Sequence, residues 1–181
     1  SHGVGGVILG ELSCVPPTVF RLQWPPDISN ALVSFDNPKG SITNSDLEMA
    51  GLLLLWLCLE GVAPNLAHKH VALFSDNSPS VSWVTKMASK KSRVAAQLVR
   101  ALALRLNVKQ SCPITPIHIP GIKNALTDIP SLSFGSVPEW HCNSHNDLLT
   151  LFNSKFPLPS QASWTVFQFE SGVITRVISA L

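Results

Sequence analysis

The chain has 181 residues, a formal net charge of only +2 and charged residues at 13%, about half of the roughly 25% that is usual. With 45% hydrophobic residues and a mean hydropathy of +0.25, that composition excludes a disordered or strongly basic tail and provides for one buried core. The longest uncharged apolar stretch, Met49 to Leu59, is eleven residues, against the roughly 20 a membrane-spanning helix needs, so no membrane partner is expected. Cys14, Cys58, Cys112 and Cys142 are far apart and include no Cys-x-x-Cys pair. That spacing argues against a zinc ribbon or a disulfide framework and for a reducing, intracellular setting in cytoplasm or nucleus. The pair His141 and His145 has an attractive spacing, but two ligands do not make a zinc site. The chain opens within a strand-like pattern and without an initiator Met, as a cut within a longer polypeptide would.

Gly3 to Leu9 reads as a buried strand, with small residues where another backbone comes close. Val19 to Trp24 reads as its antiparallel partner across the turn at Val15-Pro16-Pro17. Residues 27 to 44 read as a loop, and Asn44 or Ser45 as the cap of a long apolar helix from Asp46 to Glu60 that Gly61 stops. Val71 to Ser75 is a short apolar strand closed by Asp76-Asn77-Ser78-Pro79. Helices follow over 80 to 89 and, capped by Ser92, to Asn107. Ile114 to Ile119 is a strand whose Pro116 puts it at a sheet edge, and Asn124 caps a short helix that Pro130 disturbs. After Gly135 the composition turns to Ser, Asn, Pro and aromatics, with a helix expected at 146 to 152 and a strand at 164 to 169. The chain thus divides into an α/β domain over 1–135 and a C-terminal connector or tail over 136–181, packed on the domain or following it.

Three acids stand among apolar neighbours: Glu48 in the first turn of the long helix, Asp76 at the end of a buried strand and Asp128 on the short helix. Each has an ordinary structural role open to it, as a helix-dipole partner, a helix cap and a surface residue. Yet no base lies near any of them in sequence. An ionised carboxylate in such surroundings needs a cation or a donor, and a shared divalent cation would serve all three.

The segment Thr43-Asn44-Ser45-Asp46-Leu47-Glu48-Met49-Ala50 resembles a helix start of the ribonuclease H family, and Phe74-Ser75-Asp76-Asn77-Ser78 resembles its strand-end motif. His118-Ile119-Pro120-Gly121-Ile122-Lys123-Asn124-Ala125-Leu126-Thr127-Asp128 resembles a block of the ribonuclease H domains of retroelement reverse transcriptases, and Gly3 to Leu9 is similar to their second strand. The ordered set covers the first 135 residues and is closest to eukaryotic retrotransposon polyproteins of the DIRS or gypsy type. The resemblance implies a mixed five-stranded sheet flanked by helices, its first strand truncated. It implies two-metal hydrolysis of the RNA strand of RNA–DNA hybrids with Mg²⁺ or Mn²⁺, Glu48, Asp76 and Asp128 being metal ligands and catalytic, and the reverse transcriptase portion of the same polyprotein as a partner. Two departures stand out: the sequence opens at Ser1-His2-Gly3, so that the family's first-strand Asp is absent, and Leu132 stands where relatives tend to carry Arg. Without that bridging Asp the chain is expected to be inactive. The alternative is a non-catalytic nucleic-acid- or protein-binding module descended from a retroelement. An integrase or transposase of the same superfamily is a further rival, against which the Thr43–Ala50 segment speaks.

Residues 77 to 127 contain no acid and eight bases, Lys86, Lys90, Lys91, Arg93, Arg100, Arg105, Lys109 and Lys123. Those residues carry +8 and the rest of the chain, with five bases and eleven acids, carries −6. Lys86, Lys90, Lys91, Arg93, Arg100 and Lys123, with Asn77, are the candidates for gripping a nucleic acid. Trp83, near Lys86, is a candidate for stacking or for the core. His118 is read as a residue that packs or binds backbone.

Overall fold

The structure, a computed structural model, describes residues 3–10, 15–108, 112–135, 138–159 and 162–181. Strand β1 (Gly3–Ile8) pairs antiparallel with β2 (Thr18–Gln23), placing Gly5 opposite Arg21 and Val7 opposite Val19. Buried Trp24 closes the hairpin. Pro26 then opens a short helix, α1 (Pro26–Ala31), where a loop is expected; proline lacks an N–H, but the first turn of a helix has no intrahelical use for one.

Helix α2 (Asn44–Val62) is the centre of the molecule. Its cap is Thr43, one residue before the expected one, because Thr43 and Asp46 close a reciprocal capping box. Leu47, Met49, Ala50, Leu53, Leu54, Trp56 and Cys58 are buried around much of its circumference, the pattern of a helix enclosed on most sides. It runs through Gly61 to Val62, and a Cβ on Gly61 would stand 2.6 Å from the Phe167 ring.

Strands β3 (Val71–Ser75) and β4 (Ile114–His118) pair in parallel, Leu73 beside Pro116 and Ser75 beside His118. The crossover between them is α3 (Ser78–Lys86) and α4 (Arg93–Val108). Ala95, Leu98, Val99 and Leu102 of α4 are buried, while Arg93, Gln97, Arg100 and Leu104 run along its exposed side. A single 3₁₀ turn, Gly121–Lys123, leads into α5 (Ala125–Leu132), which contains Pro130.

Beyond 135 lie α6 (His145–Lys155), β5 (Thr165–Val166) and α7 (Ser171–Ile178). The strand expected over 164–169 shortens to two residues and pairs in parallel with β2; α7 has no counterpart in the sequence reading. The molecule is therefore a mixed α/β protein. Its five described strands lie in two sheets, β1-β2-β5 and β3-β4, where a single five-stranded sheet is expected. Both sheets feed one core, since Val4 and Ile8 of β1, Leu73 of β3 and the buried side of α2 belong to the same cluster. A second cluster joins Val19 and Ile129 to Cys142, Leu148, Phe152 and Trp164 of the C-terminal segment.

Arg21 fastens that segment. Its guanidinium donates to Ser133 Oγ at 2.9 Å and to the Cys142 carbonyl at 2.8 Å, and lies 4.7 Å from the centre of the Phe134 ring. No helix among the described residues is long and apolar enough to cross a membrane.

Candidate carboxylate cleft

Two acids near the start of α2 have separate tasks. Asp46 is 1% exposed, and its Oδ2 accepts from the Thr43 N–H at 2.8 Å and from the Thr43 hydroxyl at 2.7 Å. Its Oδ1 accepts from Ser92 Oγ at 2.5 Å. Glu48 is two residues further on, about 200° around a helix; with Thr43 as cap it falls in the second turn, not the first. It points into a cleft of about 80 Å³ that Asp76, Asn124, Thr127, Asp128 and Ser131 also line.

Asp76 follows the last residue of β3, where a strand leaves the core. The end of β4 braces it: the Ile119 N–H donates to the Ser75 carbonyl at 3.0 Å, and His118 Nε2 donates to the Asp76 carbonyl at 3.1 Å. A Cβ on Gly121 would stand 3.3 Å from Asp76 Oδ2, so the turn before α5 closes against the carboxylate.

Asp128 reaches the cleft because α5 settles on the glycines of β1. A Cβ on Gly5 would stand 2.6 Å from Pro130 Cβ and from the Ser131 nitrogen, and one on Gly3 would stand 2.6 Å from the Phe134 ring. The small residues of the first strand thus admit a helix to close range. Gly3, Val4 and Gly5 line the cleft together with Trp24 and Leu47.

The three carboxylates act on one another. Burial, and then the charges of Asp76 and Asp128, push the Glu48 carboxyl up to about 7. Burial, and then the charge of Asp76, push the Asp128 carboxyl up from its ordinary value. Burial, reinforced by like charges in a confined site, produces this pattern. The donors are carboxylate oxygens, the type that Mg²⁺ and Mn²⁺ prefer, and a cation would relieve the repulsion that raises Glu48. Even so, no group of three His, Cys, Asp or Glu side chains among the described residues stands at ligating spacing. The cleft collects the acids without closing them into a coordination shell.

The proposed gripping residues divide. Lys86, Lys90, Lys91, Arg93, Arg100 and Lys123 are exposed, and none is ion-paired among the described residues. Arg105 instead pairs with Glu60 at 2.9 Å, and Lys109 lies outside the described residues, as does Cys14. Asn77 is occupied in the fold: its Oδ1 accepts from the Ser80 N–H at 2.9 Å and the Ser80 hydroxyl at 2.8 Å, and its Nδ2 donates to Ser45 Oγ at 3.2 Å. Trp83 is half-buried against the main core. His141 lies between the Gly135 carbonyl at 2.9 Å and the Asn143 carboxamide at 3.1 Å, and the Gln168 amide donates to His145 Nδ1 at 3.0 Å.

Asp46 and Asn124 are the residues that sequence reasoning under-read. Thr43-x-x-Asp46 carries a capping-box signature that picks out Asp46 as structural, whereas nothing in the sequence points to Ser92 as its partner. Asn124 is read as a helix cap, and its side chain makes no capping bond. No family model, no curated protein and no solved structure matches the chain.

Proposed function

We propose that this chain is a ribonuclease H-like domain of retroelement type, built to hold the RNA strand of an RNA–DNA hybrid at a carboxylate-bound divalent-cation site. The observation that carries the proposal is the convergence of Glu48, Asp76 and Asp128, from three separate elements, on one cleft. The four strands β1 to β4 support the finer fold. They form two pairs, as a five-stranded sheet would without its central strand. β1 and β3 are the neighbours of that place: each is at the edge of its sheet, and both border the cleft through Gly3, Gly5 and Asp76. A strand between them, bearing a fourth carboxylate, completes the proposed sheet and site.

In this scheme Glu48, Asp76 and Asp128 are the residues that would hold Mg²⁺ or Mn²⁺. When bound, such cations supply water activation and neutralise charge on the leaving oxygen in phosphodiester hydrolysis. Each residue of the chain has a distinct part. Glu48, its carboxyl pushed up to about 7, would have to be ionised to hold a cation. Asp76 is held by the β4 end and the Gly121 turn. The exposed bases of the α3–α4 loop and of α4 lie on the phosphate backbone, where the charge contributes affinity without sequence preference. The 181 residues carry three of the four carboxylates of the scheme, so binding without turnover is the expected behaviour.

Fluorescence anisotropy with an RNA–DNA hybrid tests the proposal. If all six free bases engage, affinity falls about a thousandfold between 50 and 200 mM salt. Changing Lys90, Lys91 and Arg93 together to Gln lowers the salt slope by about 3. Absence of salt-dependent binding overturns the proposal, and Mg²⁺-dependent cleavage by this chain overturns the expectation of inactivity.

A further inference from the structure

The loop between α1 and α2, residues 32–42, is fastened at its base. The Val33 N–H donates to the Ile42 carbonyl at 2.7 Å, and the Ser41 and Ile42 N–H groups donate to the Ala31 carbonyl at 2.9 and 3.1 Å. The Asn37 carboxamide donates to the Asn30 and Leu32 carbonyls at 2.9 and 3.2 Å, and Ile42 is buried in the main core. The tip held in this way displays Phe35, which is 100% exposed, with Val33 partly exposed beside it. Single exposed apolar residues are ordinary on a protein surface; this one is set apart because the same chain carries a matching recess.

The recess lies on the outer side of α4. Leu104 and Val108, one turn apart, are 58% and 81% exposed, and with Ala101, Glu60 and Arg105 they line a groove of about 520 Å³. The two charges at its rim differ in what they have left to give. Glu60 is engaged through both oxygens, accepting from Trp56 Nε1 and from Arg105 at 2.9 Å each. Arg105 spends one N–H group on Glu60, and a guanidinium has five. Asp36, the neighbour of Phe35, is exposed and not ion-paired among the described residues. The loop therefore offers an aromatic ring followed by a free carboxylate, and the groove offers an apolar floor beside a guanidinium with donors to spare. Phe35, wholly exposed, does not fill the groove of its own chain.

We infer that the α4 groove takes Phe35 of a second copy of this chain, with Asp36 of that copy facing Arg105. An aromatic side chain buries roughly 150–250 Å², well short of the about 1,000 Å² of a standing interface, so the association is weak and driven by concentration. Sedimentation equilibrium of the full chain over a concentration series tests it. The weight-average mass should rise above the 19.6 kDa of one chain. Phe35→Ser and Leu104→Glu, both at exposed positions and expected to keep the melting temperature, should each lower the association constant by about thirtyfold or more, the loss of a hot-spot contact. Asp36→Lys, which sets two cations against each other, should weaken it as well. Knob and groove are separate patches, so an equimolar mixture of Phe35→Ser, which keeps the groove, and Leu104→Glu, which keeps the knob, should form a dimer that neither forms alone. A single-chain mass at every concentration, association unchanged in Phe35→Ser or in Asp36→Lys, or a mixture as monomeric as its components overturns the inference. So does a loss of RNA–DNA hybrid binding in Phe35→Ser with self-association intact, which would make the loop a nucleic-acid contact instead.

Discussion

Ser92 Oγ donates to the buried Oδ1 of Asp46, joining the first residue before α4 to the first turn of α2. The same serine hydroxyl accepts from the Ala95 N–H at 3.0 Å, so one side chain caps α4 and ties it to the helix that bears Glu48. Lys90, Lys91 and Arg93 flank the tie. The basic surface and the carboxylate cleft are thereby fixed to each other through two residues that contact no ligand in the proposed scheme.

Removing that tie is costly. Asp46→Ala strips Thr43 and Ser92 of their acceptor and should destabilise the protein by about 2–4 kcal/mol. Ser92→Ala leaves one buried carboxylate oxygen without a donor and should cost about 1–3 kcal/mol. Urea denaturation of the single and double variants measures the coupling, and additive effects would show the two residues to be independent.

Glu48 makes stability depend on pH. Its carboxyl is raised to about 7 in the folded chain and titrates near 4.3 when unfolded. Between those values the folded state binds the extra proton, so the stabilisation is fully present below about pH 4.3 and lost as pH rises through 7. Asp128, raised by burial and by Asp76, acts in the same direction. From pH 5 to pH 8 the Glu48 contribution lost is about 3 kcal/mol. Melting curves across that range should show the loss in the unaltered chain and a shallower one in Glu48→Gln, which should be the more stable protein at pH 8.

Gly5 sets the distance from β1 to α5. Gly5→Ala places a methyl group 2.6 Å from Pro130 Cβ and from the Ser131 backbone, and should cost about 2–3 kcal/mol by overpacking. Gly172→Ala, with nothing within 4 Å of the new methyl, should leave stability unchanged or slightly raised. Equal effects in thermal denaturation would contradict the close approach.

Met87 ends α3 in the left-handed region, at φ 48° and ψ 36°, and its N–H donates to the Trp83 and Val84 carbonyls. Glycine suits that conformation and methionine does not. Met87→Gly should stabilise the protein by about 0.5–1 kcal/mol in chemical denaturation.

Local chemistry made much of this molecule legible in the sequence. The Gly3–Ile8 strand, the apolar run of α2, the Ser92 cap and the edge position of Pro116 each follow from a residue and its immediate neighbours. What eluded the sequence depends on distant partners or on competing signals. Residues 27 to 44 read as a loop, although Pro26 starts α1 there; Gly61 reads as a stop, but the last turn of α2 continues past it. Asp46 and Glu48 look alike in sequence, and only the meeting of α2 with α4 makes the first a buried tie while Glu48 faces the cleft. Motif order sets Glu48, Asp76 and Asp128 apart in the sequence, whereas the part that Gly3 and Gly5 play in bringing α5 to the cleft is visible only in three dimensions.

The cation-binding role of the cleft is the central claim, and Mn²⁺ titration at pH 8 monitored by NMR line broadening tests it most directly. Broadening should centre on Glu48, Asp76, Asn124 and Asp128, be competed by Mg²⁺, and vanish in the Glu48→Gln, Asp76→Asn, Asp128→Asn triple variant. Broadening centred elsewhere, or unchanged in the triple variant, would contradict the account.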